Sequence, residues 1–434
     1  MSSPPPSPPR DLLESVRVTA LASDGDGIAR TAEGRVVFVE GGVPGDRGEL
    51  ALPRKQKGSL RARIARIVEP SSDRVEPRCP HFGQCGGCVW QHVRYSSQLE
   101  AKRQNVRAAL ERIGGLSLDC DVEIVASPSD YGYRARTRVV EVDGGVGYRR
   151  RSSNETLRVD ACPVLVAEAE AALRVQAERV AARQRRARDG RDHRGGRNDP
   201  RTRALREWVI TAGSRGPARS EQVGTPLPAS EGTRATPDAA PRDEVVLEVL
   251  GERLRIGGPG FVQGNALLWE RLAREVRDRC LLPHAGRAPR RFVELYAGIG
   301  FFTLPLARSG LSGLAVESDP QAVADLAFNL TRAGLADAVE AIAAQVEVRT
   351  DLPTWLASTD LLLVDPPRIG LEPIVRQSIA KGGPGAVVYV SCDPATLARD
   401  LKLLAEHDYR VASVLAFDLF PQTPHVETVV RLER

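Results

Sequence analysis

The stretch Val293–Leu304, VELYAGIGFFTL, is typical of a turn that joins a buried β-strand to an α-helix. The apolar residues before the turn predict the strand. Gly298 and Gly300 allow the backbone to approach a ligand closely at the start of the following helix. Similar strand–turn–helix units follow, at SGLAVESDP, TDLLLVDPP and AVVYVSCDP. We therefore predict an α/β fold, with a doubly wound, Rossmann-like domain over residues 257–434.

Composition narrows the class of protein. The chain has 434 residues, 27% of them charged, and a formal net charge of +5, which suits several domains and hints at a polyanionic partner. No apolar run has the length of a transmembrane helix. The proline-rich start predicts a disordered tail over residues 1–14 and no signal sequence. Seven cysteines without a signal sequence argue against a disulfide framework, so we expect a cytoplasmic protein.

The N-terminal part reads as a small β-barrel. Residues 15–70 alternate apolar and polar positions between turns rich in glycine, proline and aspartate. Such barrels often bind oligonucleotides, and Arg61, Arg63 and Arg66 lie on one predicted strand. An ordinary solvated face explains these arginines equally well.

The central part, residues 71–256, combines a cysteine segment, a helix near 96–114 and several short strands. An arginine-rich tract, Arg183–Arg206, opens a low-complexity insert over about 183–243. This composition cannot form a packed core, so we predict disorder, interrupted by one strand at LREWVITAG. A solvated linker is favoured over a phosphate-binding segment.

Three cysteines in CPHFGQCGGC have C-x5-C-x2-C spacing, which favours metal ligation in a reducing compartment. A fourth ligand is expected from the cysteine of VDACPV, which also precedes a proline. The predicted ligands are Cys79, Cys85, Cys88 and Cys162. Thiolates hold zinc or an iron–sulfur cluster, and spacing does not choose between them. Cys120 and Cys280 look like packing residues.

Two acids support a nucleoside site beside the glycine turn. Glu317 ends the next predicted strand, where a carboxylate can bind a ribose diol. This favours a cofactor such as S-adenosylmethionine. Asp365 ends another strand, in VDPPR, and we expect it to face the ligand rather than serve as a simple helix cap.

Cys392, in VVYVSCDPATLARD, is the candidate nucleophile. It lies just beyond an apolar strand and before a helix whose partial positive charge should lower the pKa of the thiol. The last strand is predicted to be antiparallel, which brings Glu427 close to Cys392. A carboxylate in that position can act as a general base. The alternative is an inert, half-buried cysteine.

Together these segments resemble the RNA uracil-5-methyltransferase family, and within it the iron–sulfur 23S rRNA branch. The resemblance rests on a barrel like a TRAM domain, CPHFGQCGGC with ACP, FVQGN, LYAGIG, VDPPR, VSCDPATLARDL and PHVETV. These segments span residues from about 15 to 434 except for the basic insert.

The resemblance implies that Cys392 attacks carbon 6 of a flipped-out uridine and that Glu427 removes the proton from carbon 5 after methylation. Phe261 matches an aromatic residue near the target base. The positions that match S-adenosylmethionine contacts are Gln263, Tyr296, Glu317 and Asp365. The four cysteines match ligands of a [4Fe–4S] cluster with a structural or RNA-positioning role. No membrane and no obligate protein partner are implied.

The chain departs from the family pattern in two places. Phe301 stands where many relatives have a polar residue. From its composition, the insert is expected to replace much of a central β-rich subdomain that would help to recognise the RNA target. A tRNA uridine methyltransferase is the alternative, although such relatives generally lack the cysteine cluster. An amino-directed methyltransferase would leave Cys392 idle. A basic RNA-binding protein with a vestigial methyltransferase domain would not need both Cys392 and Glu427.

Overall fold

The computed structural model describes residues 12–51, 54–56, 59–189, 206–223, 244–258 and 260–434. The predicted tail up to residue 11 and the predicted disorder over 190–205 and 224–243 lie outside these residues. The described chain forms two compact units. One contains the residues up to Gly83, together with Gly87–Asn105 and Pro421–His425, and the other contains the remainder. The predicted central part is thus divided between the two units.

A closed five-stranded barrel opens the first unit. Its strands are β1 (Leu12–Leu21), β2 (Gly27–Arg30), β3 (Val36–Glu40), β4 (Arg47–Ala51) and β6 (Ser59–Glu69), with β5 (Arg54–Gln56) paired to β6. The ring runs β1-β2-β3-β6-β4 and returns to β1. The predicted barrel is confirmed, but β3 and β6 pair in parallel and the first strand starts at Leu12.

The barrel arginines are partly neutralised by acids of the same barrel. Arg61 forms salt bridges with Asp24 and Asp26. Arg66 pairs with Glu49. These pairs favour a solvated face over a strongly basic one along β6.

The second unit begins with a sheet that the sequence did not predict in full. The elements are α1 (Tyr95–Arg112), which starts in the first unit, β7 (Val122–Val125), β8 (Arg136–Val142), β9 (Gly145–Arg149), β10 (Thr156–Arg158), α2 (Ala167–Arg188), β11 (Glu207–Thr211) and β12 (Arg219–Gln222). The sheet has the order β10-β9-β8-β11-β12, and α2 buries Leu173 and Val180 in the core of this unit.

Two predictions about this region are therefore wrong. The β-rich subdomain is present rather than replaced. Its sheet includes β11, which corresponds to the predicted strand LREWVITAG, together with four further strands. The arginines at 183–188 belong to α2 rather than to a disordered tract. Leu173 and Val180 of this helix pack inward, whereas Arg185 and Arg186 are exposed, which explains how an arginine-rich segment can form a long helix.

The Rossmann-like part of the chain follows. It contains β13 (Val245–Val249), β14 (Glu252–Ile256), α3 (Trp269–Leu281), β15 (Arg291–Leu295), α4 (Thr303–Arg308), β16 (Ser312–Glu317), α5 (Pro320–Arg332), β17 (Val339–Ala343), α6 (Leu352–Ala357), β18 (Leu361–Val364), α7 (Pro373–Gly382), β19 (Ala386–Ser391), α8 (Pro394–Ala405), β20 (Arg410–Phe417) and β21 (Glu427–Glu433). Short 3-10 turns lie at Ala266–Leu268 and Val346–Val348.

An eight-stranded sheet organises these elements in the order β17-β16-β15-β18-β19-β21-β20-β7. Strands β15 to β19 are parallel, and β21 is antiparallel to both of its neighbours, as predicted. Residues along β19 alternate between two hydrophobic clusters, Val388 and Val390 in one and Val387 and Tyr389 in the other. Both faces are covered by helices, which confirms the doubly wound fold and explains the uninterrupted apolar strands.

In the parts of the chain that the structure describes, no helix has the length and apolar character needed to cross a membrane.

Candidate active site

The glycine turn after β15 takes a backbone path that requires glycine. Gly298 and Gly300 have φ angles of +56° and +93°. A Cβ atom at Gly300 would lie 2.6 Å from Leu304 Cδ1, so alanine would clash as well as strain the backbone. Tyr296 also has a positive φ, +66°, which is costly for an aromatic residue. Three residues of this turn therefore have positive φ angles.

The side-chain carboxylate of Glu317 is held by backbone amides, one of them in the glycine turn. Its Oε2 accepts a hydrogen bond from Gly298 N at 2.9 Å. Its Oε1 accepts from the amides of Ser318 and Asp319 at 2.7 and 2.8 Å. The carboxylate is therefore fixed at the carboxyl end of β16, the edge where open α/β sheets bind their ligands.

Tyr296 faces a residue that the sequence did not single out. Its hydroxyl donates to Glu347 Oε1 at 3.0 Å, and Glu347 lies in the 3-10 turn at Val346–Val348. Burial and the Glu347 carboxylate both raise the pKa of the tyrosine. The hydrogen bond joins the glycine turn to the loop that follows β17.

Glu294 is a second acid that the sequence reading missed. It lies within β15, is 1% exposed, and accepts a hydrogen bond from Thr303 Oγ1 at 2.6 Å. The pKa of this carboxyl is raised to about 8, mainly by burial, with Asp365 and Glu317 contributing in the same direction. The sequence did contain a signal for Glu294, which is a lone glutamate inside the apolar strand RFVEL. Such a residue is rarely buried without a structural or functional role.

Asp365 and Gln263 meet beside these acids. Gln263 Nε2 donates to Asp365 Oδ2 at a long 3.4 Å, whereas the buried Gln263 Oε1 has no hydrogen-bond partner. The backbone carbonyl of Gln263 is held by Trp269 Nε1 at 2.8 Å. Burial raises the pKa of Asp365 to about 7, and the Glu317 carboxylate contributes in the same direction. An orphaned buried acceptor of this kind needs a donor from a ligand.

Cys392 and Glu427 come together through strand register. Ser391, the last residue of β19, lies opposite Thr428 on β21, so the next residue along β19 adjoins Glu427 at the start of β21. Glu427 is 3% exposed. Burial and the neighbouring Asp365 raise the pKa of this carboxyl.

The thiol does not have the lowered pKa expected from the sequence. Asp393 caps α8 and accepts from Ala395 N and Thr396 N, both at 3.0 Å, so a carboxylate already occupies the helix terminus. Burial raises the pKa of Cys392 to about 12, and Glu427 and Asp365 add to the increase. Arg368 opposes it only in part. The expected depression by the helix is thus wrong for the unliganded protein.

This environment predicts slow, pH-dependent alkylation of Cys392. Because the thiolate is the nucleophile, iodoacetamide should react at pH 7 at least about a hundredfold more slowly than with a free cysteine, and the rate should rise about tenfold per pH unit to pH 9. Mass spectrometry of the peptide carrying Cys392 measures the rate without interference from other thiols. Rapid alkylation at pH 7 that is independent of pH would contradict the raised pKa.

Comparisons with known proteins agree with this architecture. Residues 260–434 match the tRNA (Uracil-5-)-methyltransferase family, and residues 14–65 match the TRAM domain. A 23S rRNA (uracil(1939)-C(5))-methyltransferase of Edwardsiella ictaluri is 33% identical, over 96% of this chain and 95% of the relative. An uncharacterized RNA methyltransferase of Gloeobacter violaceus is 35% identical over 99% of each chain. The chain belongs to the RNA (uracil-5-)-methyltransferase family.

A solved structure shares the fold of the family member described here. It is the Pyrococcus abyssi tRNA (uracil-54, C5)-methyltransferase in complex with S-adenosyl-L-homocysteine, with a TM-score of 0.67 and 24% identity over 96% of this chain and 100% of that chain. This likeness concerns architecture. The matched region of this chain includes both the barrel and the Rossmann-like sheet.

Four of the seven cysteines of this methyltransferase are the predicted metal ligands. None of the seven forms a disulfide. Among the described residues, no group of three or more His, Cys, Asp or Glu side chains is placed to hold a metal ion. The four predicted ligands are divided between the two compact units, with Cys85 and Cys162 in the second. Metal binding by these thiols remains a prediction.

The other residues predicted from the sequence have clear environments. Cys280 is fully buried, and Cys120 packs beside a hydrophobic cluster, as expected for packing residues. Phe301 is buried, with its ring edge-on to that of Phe302. Phe261 is 69% exposed, an unusual position for a phenylalanine that nothing in the fold requires.

Asp400 fastens the Asp365 loop to α8 in this methyltransferase. The buried carboxylate accepts from Leu371 N at 2.8 Å and Tyr389 Oη at 2.7 Å. It also pairs with Arg376 and Arg399. One carboxylate therefore joins the loop after β18, strand β19 and the helix that follows Cys392.

Asp400→Ala is expected to destabilise the second unit by about 3 kcal/mol, because it leaves Arg376 and buried donors without their partner. Thermal unfolding should show a clearly lowered midpoint. The control is Asp337→Ala, which removes an exposed carboxylate and should change stability by less than about 0.5 kcal/mol. Equal midpoints for the two variants would rule out the anchoring role of Asp400.

Proposed function

We propose that this enzyme transfers a methyl group from S-adenosylmethionine to carbon 5 of a uridine in 23S rRNA by covalent catalysis. The observation that carries the proposal is the strand register that sets Cys392 beside the buried Glu427. A thiol and a carboxylate at the ends of neighbouring strands suit addition to carbon 6 and proton removal from carbon 5.

The chemistry balances through these two side chains. The Cys392 sulfur, after losing its proton, forms a bond to carbon 6 of the base, and the electrons of the 5,6 double bond move into an enolate. Carbon 5 of that enolate takes the methyl group and S-adenosylhomocysteine leaves. Glu427 then accepts the proton from carbon 5, the sulfur–carbon bond breaks, and the double bond is restored. Addition is needed because carbon 5 of uracil is a weak nucleophile on its own.

The methyl donor is assigned to the pocket at the carboxyl ends of β15, β16 and β18. The residues proposed to bind it are Gln263, Tyr296, Glu317 and Asp365. Glu317 is pre-oriented by backbone amides, as a ribose-binding carboxylate must be. The unpartnered oxygen of Gln263 supplies an acceptor for a donor group of the ligand.

The RNA target is proposed from the full-length relatives. The Edwardsiella ictaluri and Thiobacillus denitrificans proteins are both named 23S rRNA (uracil(1939)-C(5))-methyltransferases, and each covers 96% of this chain. We propose the equivalent uridine as the substrate. The exposed ring of Phe261 is placed to stack on the base or on a neighbouring one.

The four cysteines are proposed to bind a metal centre, with a [4Fe–4S] cluster favoured over zinc. The donor set supports this, because Cys79, Cys85, Cys88 and Cys162 are all half-buried thiols outside any disulfide. Such a centre would act in structure or RNA positioning. Protein purified anaerobically should be brown, with iron and sulfide in equal amounts. Colourless protein loaded with zinc would exclude the cluster.

Incubation with RNA containing 5-fluorouridine tests the reaction. Fluorine at carbon 5 cannot leave as a proton, so the methylated adduct should persist through denaturing gel electrophoresis. Trypsin should release the crosslink on the peptide Gly382–Arg399, which contains Cys392 and no other cysteine. A crosslink on another peptide, or none with any RNA, would refute the mechanism.

Competition between two RNAs tests the target. A 23S rRNA fragment that contains the uridine equivalent to position 1939 should form the adduct preferentially over a tRNA transcript. Mapping of 5-methyluridine in the products identifies the nucleotide. Preferential modification of tRNA would show that tRNA, rather than 23S rRNA, is the substrate. It would not contradict the proposed reaction.

A further inference from the structure

We propose that the positively charged sulfonium of the methyl donor expels a proton from the paired carboxyls of Asp365 and Glu427, and so ionises the general base only when the donor is bound. This inference rests on the proposed function, since it assigns S-adenosylmethionine to the pocket described above. It adds a link between donor binding and base activation.

The sheet places the two carboxyls near each other. Asp365 directly follows β18 and Glu427 begins β21, while β19 lies between these strands and ends just before Cys392. Glu427 is buried and Asp365 is half-buried. The only side-chain hydrogen bond to Asp365 among the described residues is the long one from Gln263.

Other acidic side chains lie on the neighbouring elements. Glu317 ends β16, Glu294 lies inside β15, and Asp393 caps α8 beside Cys392. Arg368 is the cation that acts on the Cys392 thiol. Within the described residues, no arginine or lysine forms a salt bridge with Asp365 or Glu427. Two ionised carboxylates in such a place would repel each other without compensation.

Two such carboxyls, with no salt bridge among the described residues, are expected to hold a proton near neutral pH before the donor binds. Burial raises the pKa of Asp365 to about 7, and burial together with Asp365 raises the pKa of Glu427. A fixed positive charge beside these groups favours their ionised forms and lowers both pKa values. The proton passes to solvent. S-adenosylhomocysteine has the same adenosine and amino acid parts but a neutral sulfur, so it lacks this effect.

Isothermal titration calorimetry measures the released proton. Binding enthalpies in phosphate and in Tris at pH 6.5, where the amino group of the ligand stays protonated, give the number of protons exchanged. S-adenosylmethionine should release about one proton, and S-adenosylhomocysteine less than about a third as many, because a nearby charge shifts a buried pKa by more than one unit. Equal proton release by the two ligands would overturn the inference.

Variants locate the proton. Asp365→Asn and Glu427→Gln should each reduce the release by at least about half. Glu340→Gln, which neutralises an exposed carboxylate on β17, should leave it unchanged. Unchanged release in both pocket variants would assign the proton elsewhere and reject the proposal.

The wild-type protein supplies a second measurement that does not depend on a variant. The affinity for S-adenosylmethionine relative to S-adenosylhomocysteine should increase with pH between 6 and 7.5, by up to about tenfold per unit. A ratio that does not change with pH rejects the proton link. Failure of both ligands to bind would instead count against the proposed function, which distinguishes the two failures.

Discussion

Cys392→Ala is expected to abolish methyl transfer to RNA, with a single-turnover rate below detection. The alanine variant cannot add to carbon 6, and carbon 5 of uracil then remains too weakly nucleophilic to attack the donor methyl group. The substitution removes only the sulfur atom and leaves the proposed donor-binding residues unchanged. Affinity for S-adenosylmethionine is therefore expected to remain within about twofold of wild type. Transfer of a radiolabelled methyl group and calorimetric titration measure the two quantities.

The matched control is Cys120→Ala, which removes another half-buried thiol of the same unit. It should retain full activity and a full 5-fluorouridine adduct. A Cys392→Ala protein that still forms the adduct would disprove the nucleophile assignment. Loss of donor binding in this variant would show instead that the side chain supports the pocket.

The placement of Cys392 beside Glu427 could be predicted from the sequence, because it depends on local patterns and strand direction. The apolar strand β19 ends in the polar run Ser391–Asp393, and an antiparallel last strand starts at that same edge. The register Ser391–Thr428 then follows with little freedom. The same reasoning placed Glu317 and Asp365 at the ends of β16 and β18.

The electrostatics of the site could not be predicted in this way. The helix after Cys392 suggested a lowered pKa, whereas burial and two acids from distant parts of the chain raise it. Their sum depends on three-dimensional distances that no spacing reveals. The contact of Tyr296 with Glu347 was missed for a similar reason, since it joins two loops across the end of the sheet.

The central sheet was predicted only in part, as several short strands and LREWVITAG, because the arginine-rich composition was taken to indicate disorder. Arginines near residue 183 suggested disorder, but their helix is stabilised by an apolar face that buries Leu173 and Val180. Strands β9, β10 and β12 are short, and the two halves of the sheet are joined by β8 and β11, which are far apart in sequence. Tertiary packing, rather than local propensity, decides such segments.

Glu427→Gln is expected to separate addition from elimination. Glutamine keeps the size of the side chain but cannot accept the proton from carbon 5, so turnover should fall by about 10²–10⁴-fold, the usual contribution of a general base. Methylation itself precedes this step, so the covalent, methylated adduct should accumulate on natural RNA. The wild-type enzyme should show such an adduct only with 5-fluorouridine.

Denaturing gels with labelled RNA and mass spectrometry of the crosslinked peptide detect this species. A matched comparison is Cys392→Ala/Glu427→Gln, which should form no adduct because the attacking sulfur is absent. If Glu427→Gln turns over normally, another group removes the proton, and the nearest candidate is Asp365, whose carboxyl acts on Glu427 electrostatically. Slow turnover without an adduct would place Glu427 before the methyl transfer, in activation of the Cys392 thiol, whose pKa this carboxylate helps to raise.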